Sequence, residues 1–173
     1  MRRARRRFIQ AGAAGAVLLA LIAFVDRPRA QSSPGFRHLE PRGVELLQAL
    51  IPVVLAGALP TGAERSTAIA ETLGAFDRAL SGLEPEIQGE ISQMFSLLLF
   101  APTRIAVAGV GPSWREASAA EIAEFLRAWR DSRSELKRSG YRALTQLIQA
   151  AWYGSTRSWA AIGYPGPPAG PVA

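Results

Sequence analysis

The chain has 173 residues, no cysteine, one histidine, and 20 basic against 14 acidic side chains, for a formal net charge of +6. Seven arginines and a single acid, Asp26, fall in residues 1–30, so the remainder carries 13 basic and 13 acidic residues and is neutral. A neutral body excludes the basic surface of a nucleic-acid-binding domain. Without cysteine there is no disulfide framework, thiolate metal site, iron–sulfur cluster or covalent c-type haem, and His38 alone cannot build a His-rich zinc site.

Residues 1–32 are laid out as an export signal. Five arginines precede an 18-residue apolar stretch, Phe8–Val25, and a short polar segment follows. The stretch is near the lower limit for spanning a bilayer, and Gln10, Gly12 and Gly15 weaken it as an anchor. The order Ala4-Arg5-Arg6-Arg7-Phe8-Ile9-Gln10 resembles the twin-arginine export motif, with Arg5, Arg6, Phe8 and Ile9 as its carrying residues. That resemblance implies passage of a folded protein through the twin-arginine translocase into the periplasm. Cleavage after Ala30 or after Ser32 are the two candidates, the latter fitting the small-x-small rule better.

Residues 33–42 read as a polar, Pro/Gly-punctuated linker and 43–153 as one helical domain. Val44, Leu47, Ile51, Val54 and Leu55 fit a first helix, apolar almost all round and therefore central. Pro52 lies inside that pattern and predicts a kink or break. A second helix, about 63–80, places Ile69, Leu73, Phe76 and Leu80 on one stripe. A third, about 84–100, does so with Ile87, Ile91, Met94, Phe95 and Leu98. Pro102 is expected to close it, with a loop from Ala101 to Ser113. Ser118-Ala119-Ala120-Glu121 is a capping box opening a fourth helix with Ile122, Phe125, Leu126 and Trp129 inward. A fifth, about 134–153, turns Leu136, Tyr141, Leu144, Ile148 and Trp152 inward. No sustained period-two run exists, so the expected fold is all-α: a bundle of about five helices with an extended Pro/Gly-rich segment, 154–173.

Chemistry-bearing residues are sparse. Glu84, Glu86 and Glu90 are the densest carboxylates but suit a helix start better than an acid/base pair. Gly109-Val110-Gly111 lacks the third glycine of a dinucleotide fingerprint and follows no strand. Lys137, beside Glu135 and Arg138, reads as a solvated ion pair. Arg127, Arg130, Arg133 and Arg138 interleave with Glu121, Glu124, Asp131 and Glu135, as on a salt-bridged surface. No catalytic, cofactor-binding or metal-ligating residue is assigned, and no cofactor is expected in this chain.

The C-terminal end is the most distinctive stretch. Trp152, Tyr153, Trp159 and Tyr164 run into Pro165-Gly166-Pro167-Pro168, which cannot continue a helix. Such rigid aromatic and proline groups suit either folding back over the bundle or contact with another protein. Trp152, Tyr153, Trp159, Tyr164, Pro165 and Pro167 are the candidate interface residues.

Several patches together carry a family resemblance: Leu50-Ile51-Pro52-Val53-Val54-Leu55, Trp129-Arg130-Asp131-Ser132, Tyr141-Arg142-Ala143-Leu144, Ala151-Trp152-Tyr153-Gly154, Ser158-Trp159, and Ile162 through Pro167. Over most of 44–168 the chain resembles the small, non-catalytic subunit of periplasmic flavin-dependent dehydrogenases, of the gluconate 2-dehydrogenase subunit 3 type. The resemblance implies a flavoprotein large subunit of the glucose–methanol–choline type that holds FAD and does the chemistry. It also implies a haem c subunit as electron acceptor in some complexes, and an export signal on the small subunit that serves both chains. The alternative is a free-standing envelope protein tethered by residues 8–25, with membrane contact only through an uncleaved leader. A third is an enzyme whose site is not evident.

Overall fold

A computed structural model describes residues 32–111 and 113–166, and these form one unit that is all-helical. Seven α-helices follow in order: α1 Pro41–Val54, α2 Glu64–Ser81, α3 Pro85–Leu99, α4 Ala101–Thr103, α5 Ala119–Arg130, α6 Glu135–Tyr153 and α7 Thr156–Ile162. A π-helical turn, Arg104–Ala108, continues directly from α4. Residues 1–31, read above as an export signal, lie outside the described part, and among the described residues there is no strand.

The first helix is central in the packing, but it buries one stripe and not its whole circumference: Gln48 is exposed, and Val44, Val53 and Val54 are half-buried. Leu46, Leu47, Leu50 and Ile51 are completely buried, and α1 packs on α2, α3, α5 and α6. Pro41 occupies its first turn, where the missing N–H is no loss. Pro52 does not kink the helix midway. The helix ends two residues later at Val54, Leu55 N–H still bonds Ile51 O at 2.9 Å, and Gly57 and Gly62, with φ of +82° and +68°, reverse the chain.

Three features depart from the expected pattern. Residues 32–40 are not a free linker: the Asp77 carboxylate on α2 accepts the backbone N–H groups of Arg37, His38 and Leu39 at 2.8, 2.9 and 3.1 Å. Leu39 is thereby buried, and helix α1 begins at Pro41 rather than 43. The expected loop after Ala101 is helical. Phe100 is extended (φ −80°, ψ 119°), and Pro102 starts a new helix instead of ending the old one, at 82° to α3. Leu136 and Ile87, each in the first turn of its helix, are exposed and not inward as expected.

The helix opened by the capping box, α5, follows expectation closely, whereas α6 buries Leu144, Ile148 and Trp152 of its expected stripe but leaves Tyr141 half-buried. Ser118 Oγ accepts from Glu121 N–H, Glu121 accepts from Ser118 N–H, and Ile122, Phe125, Leu126 and Trp129 are all buried. On the stripe of α2, Leu73, Phe76 and Leu80 are buried as expected, Ile69 is only half-buried, and Ala68, Thr72 and Asp77 widen the buried face.

Gly140 marks the closest approach of α6 to α5. A Cβ there would sit 2.5 Å from Trp129 Cζ3 and 3.3 Å from Met94 Sδ. Trp129 cannot easily give way, since its indole N–H donates to Val107 O at 3.0 Å. Alanine in a helix interior ordinarily stabilises by about 1 kcal/mol over glycine. Here Gly140→Ala is expected to destabilise by about 1–3 kcal/mol, through overpacking against the fixed indole. Urea denaturation checks the sign.

Candidate functional site

Two surfaces stand out once the bundle is assembled. The first is the C-terminal end, which is not extended: Thr156–Ile162 forms α7, and the chain turns back at Gly163 (φ +67°). Tyr164 N–H donates to Trp159 O at 2.9 Å, and the two rings meet edge to face with centroids 5.3 Å apart. Trp159 Nε1–H donates to Tyr153 O at 3.0 Å, which ties the pair back to the end of α6. Gly166 passes close to the Trp159 ring, where a Cβ would lie 3.4 Å from Cζ3.

Of the candidate interface residues, this arrangement brings Tyr153, Trp159, Tyr164 and Pro165 together. Tyr153 and Tyr164 are 43% and 44% exposed, Pro165 is exposed, and Trp159 is half-buried. Trp152 differs: it faces the core at 2% exposure, about 100° around α6 from Tyr153, and cannot act as a surface anchor. Ile162, 58% exposed, joins the surface although the sequence pattern did not single it out. Pro167 and the export-motif residues Arg5, Arg6, Phe8 and Ile9 lie outside the described residues.

The second surface is the corner formed by α4 and the π turn. Between Glu90 and Arg115 the sequence has one charged residue, Arg104, and that residue is buried. Ala101, Pro102, Ala106 and Ile105, the last 57% exposed, form an uncharged outer face. Buried donors hold the corner in shape from beneath: Arg104 Nε to Gly111 O at 3.2 Å, Trp114 Nε1 to Leu98 O at 2.8 Å, and the Trp129 bond to Val107 O. No single described helix is long and apolar enough to cross a membrane; α3 with Ala101–Ala108 is apolar enough as a bent pair, but α3 buries Ile91, Phe95, Leu98 and Leu99 in the bundle.

The remaining chemistry-bearing residues are dispersed. Glu84, Glu86, Glu90 and His38 are exposed, and Gly109 caps the π turn with φ +69°. Arg127 pairs with Glu124, Arg130 with Asp131, and Glu135 with both Arg138 and Arg142, as the interleaved charges predict. Lys137, expected beside Glu135, is half-buried. An open groove of about 320 Å³ runs between α1 and the start of α5, floored by Ala49, Pro52, Val53 and Ile122, with the Glu45–Arg115 ion pair (3.1 Å) at its rim. Among the described residues no three His, Asp or Glu side chains converge as a metal site. The chain matches no family model, no curated protein and no solved structure.

Arg157 is the residue near the aromatic end that the sequence pattern did not reveal. Its guanidinium spans to α2, donating to both Glu71 carboxylate oxygens at 2.6 and 3.0 Å, and lies 3.5 Å from Glu64. The separation of 86 residues hides this pair from any local pattern.

Four carboxylates are held below their ordinary range. For Glu71 the main cause is the hydrogen bond from Arg157; for Glu121, the Ser118 N–H; for Asp131, Arg130; for Glu135, Arg142 and then Arg138. The folded chain therefore binds these protons less readily than the unfolded one. The stabilisation is complete above the unfolded carboxylate values and is lost as pH falls through the lower folded ones. Stability is expected to be flat from about pH 6 to 8, as far as these groups are concerned, and to fall below about pH 4.5. Salt should shrink the loss, because the pairs are exposed. Urea midpoints measured across that range, with Arg157→Gln giving a shallower acid limb, check this.

Proposed function

We propose that this chain is a non-catalytic accessory subunit and export escort of a periplasmic flavin-dependent dehydrogenase of the glucose–methanol–choline type. FAD and the oxidation chemistry reside in the large subunit, and a haem c subunit is the electron acceptor where one is present. The observation that carries this reading is the aromatic end. Residues resembling the small-subunit family, Tyr153, Trp159, Tyr164 and Pro165, form a preshaped, uncharged unit at the surface. An edge-to-face ring pair fixed by two backbone-directed hydrogen bonds loses little entropy on docking, the economy that makes aromatic anchors effective at interfaces.

The leader supports the same reading from the sequence side. A twin-arginine signal exports folded cargo, so one signal on a small subunit can carry a preassembled complex. The neutral body suits a chain partly covered by another protein better than one attracted to anionic lipid or nucleic acid.

Purification of the chain from the periplasm is expected to bring a flavoprotein with it, and deletion of the chain to leave that flavoprotein in the cytoplasm. Elution alone, with the flavoprotein still exported, contradicts the reading. Trp159→Ala or Tyr164→Ala is expected to weaken partner binding by about 2 kcal/mol or more. A fall in the isolated domain's melting temperature with unchanged affinity would make the aromatic pair intramolecular packing instead. N-terminal sequencing of the mature chain tests the tethered-envelope alternative, which a cleaved leader excludes.

A further inference from the structure

The forces that hold α7 divide into two kinds. Seven residues are too few to stay helical unaided in water, so the helix depends on its contacts. Its local bonds are many: Ser155 Oγ to Trp152 O, Ser158 Oγ to Ser155 O, Trp159 Nε1 to Tyr153 O, and Tyr164 N–H to Trp159 O. The Ser158 and Tyr164 bonds lie within the segment and give it its shape, whereas the Ser155 Oγ–Trp152 O and Trp159 Nε1–Tyr153 O bonds run back to the last turn of α6. Ser158 is its one fully buried described side chain, while Thr156, Ala160 and Ile162 are exposed. The polar ties to a distant element are those of Arg157 to Glu71 and Glu64 on α2. From Ser158 to Ala173 the sequence has no charged residue at all.

We infer that residues 156–166 form a hinged docking arm whose position is set by the Arg157–Glu71/Glu64 ion pairs and whose hinge is Gly154–Ser155. When Arg157 loses its carboxylates the arm lifts and gives up the Trp159 Nε1–Tyr153 O bond that crosses the hinge, while the Tyr164 N–H to Trp159 O bond keeps the aromatic pair formed. Arg157 is a positioning residue: it decides where Trp159 and Tyr164 are presented. Segments held by few buried apolar groups and by exposed ion pairs open at low cost relative to the whole fold. The partner such an arm fits is a protein with an apolar, aromatic-accepting groove and a carboxylate at its edge, which takes over Arg157 as the arm seats. That use of the arm rests on the accessory-subunit reading; the hinge itself does not.

The chain reports on its own arm. Trp114, Trp129 and Trp152 are buried at 3, 5 and 2% exposure, which leaves Trp159 as the quenchable indole. Acrylamide quenching and backbone hydrogen exchange are measured on the full chain, with Trp159→Phe assigning the fluorescence. Arg157→Glu is expected to raise the quenching constant about two-fold and to speed exchange over 156–164 several-fold, with α1 amides unchanged. The triple reversal Arg157→Glu, Glu64→Arg, Glu71→Arg is expected to restore both. Wild-type quenching and exchange in Arg157→Glu overturns the hinge, as does a triple variant that stays as open as the single one. Faster exchange throughout α1 also overturns it, since arm and bundle then open together. A confirmed hinge in a chain that co-purifies no flavoprotein would sink the accessory reading and leave the hinge standing.

Discussion

Burial of one stripe of α1, Gly43, Leu46, Leu47, Leu50 and Ile51, beneath four other helices is the constraint on which the rest of this structure depends. Leu46, Leu47, Leu50 and Ile51 are each fully excluded from water, worth about 2 kcal/mol apiece by area. No single neighbour can cover such a helix, so α2, α3, α5 and α6 must each offer an apolar stripe to it. The two prolines, Pro41 and Pro52, bracket the helix and fix how much of the chain this central position can hold. Asp77 then fixes the direction of entry, by collecting three backbone N–H groups that would otherwise be left without partners beside the core.

The same economy recurs at the corner between α3 and α5. A helix break within an apolar stretch leaves backbone carbonyls facing inward, and the fold supplies a buried donor for each of three: Arg104, Trp114 and Trp129. No buried side-chain polar atom among the described residues lacks a partner. The consequence is a rigid outer surface without charge.

Periodicity and punctuation made the five main helices legible, because burying one face of a helix imposes a spacing that any sequence must obey. The capping box, the central first helix and the interleaved surface charges could be read in the same way, since each depends on residues within one or two turns. The aromatic end was legible as a site candidate from composition, yet its shape was not. Proline and glycine suggested an extended segment, whereas α7 forms before the prolines begin.

The sequence by itself determined the helical class, the central helix and the neutral balance of charge beyond the arginine-rich residues 1–30. Only the tertiary structure decided that Trp152 is core while Tyr153 is surface, that the 32–40 segment is pinned to Asp77, and that Arg157 reaches Glu71. The physical reason is separation along the chain. A hydrophobic stripe is written in neighbours three and four residues apart, but a hydrogen bond or ion pair across some 40 or 86 residues leaves no local trace. Such distant polar ties exist only when the helices have already packed.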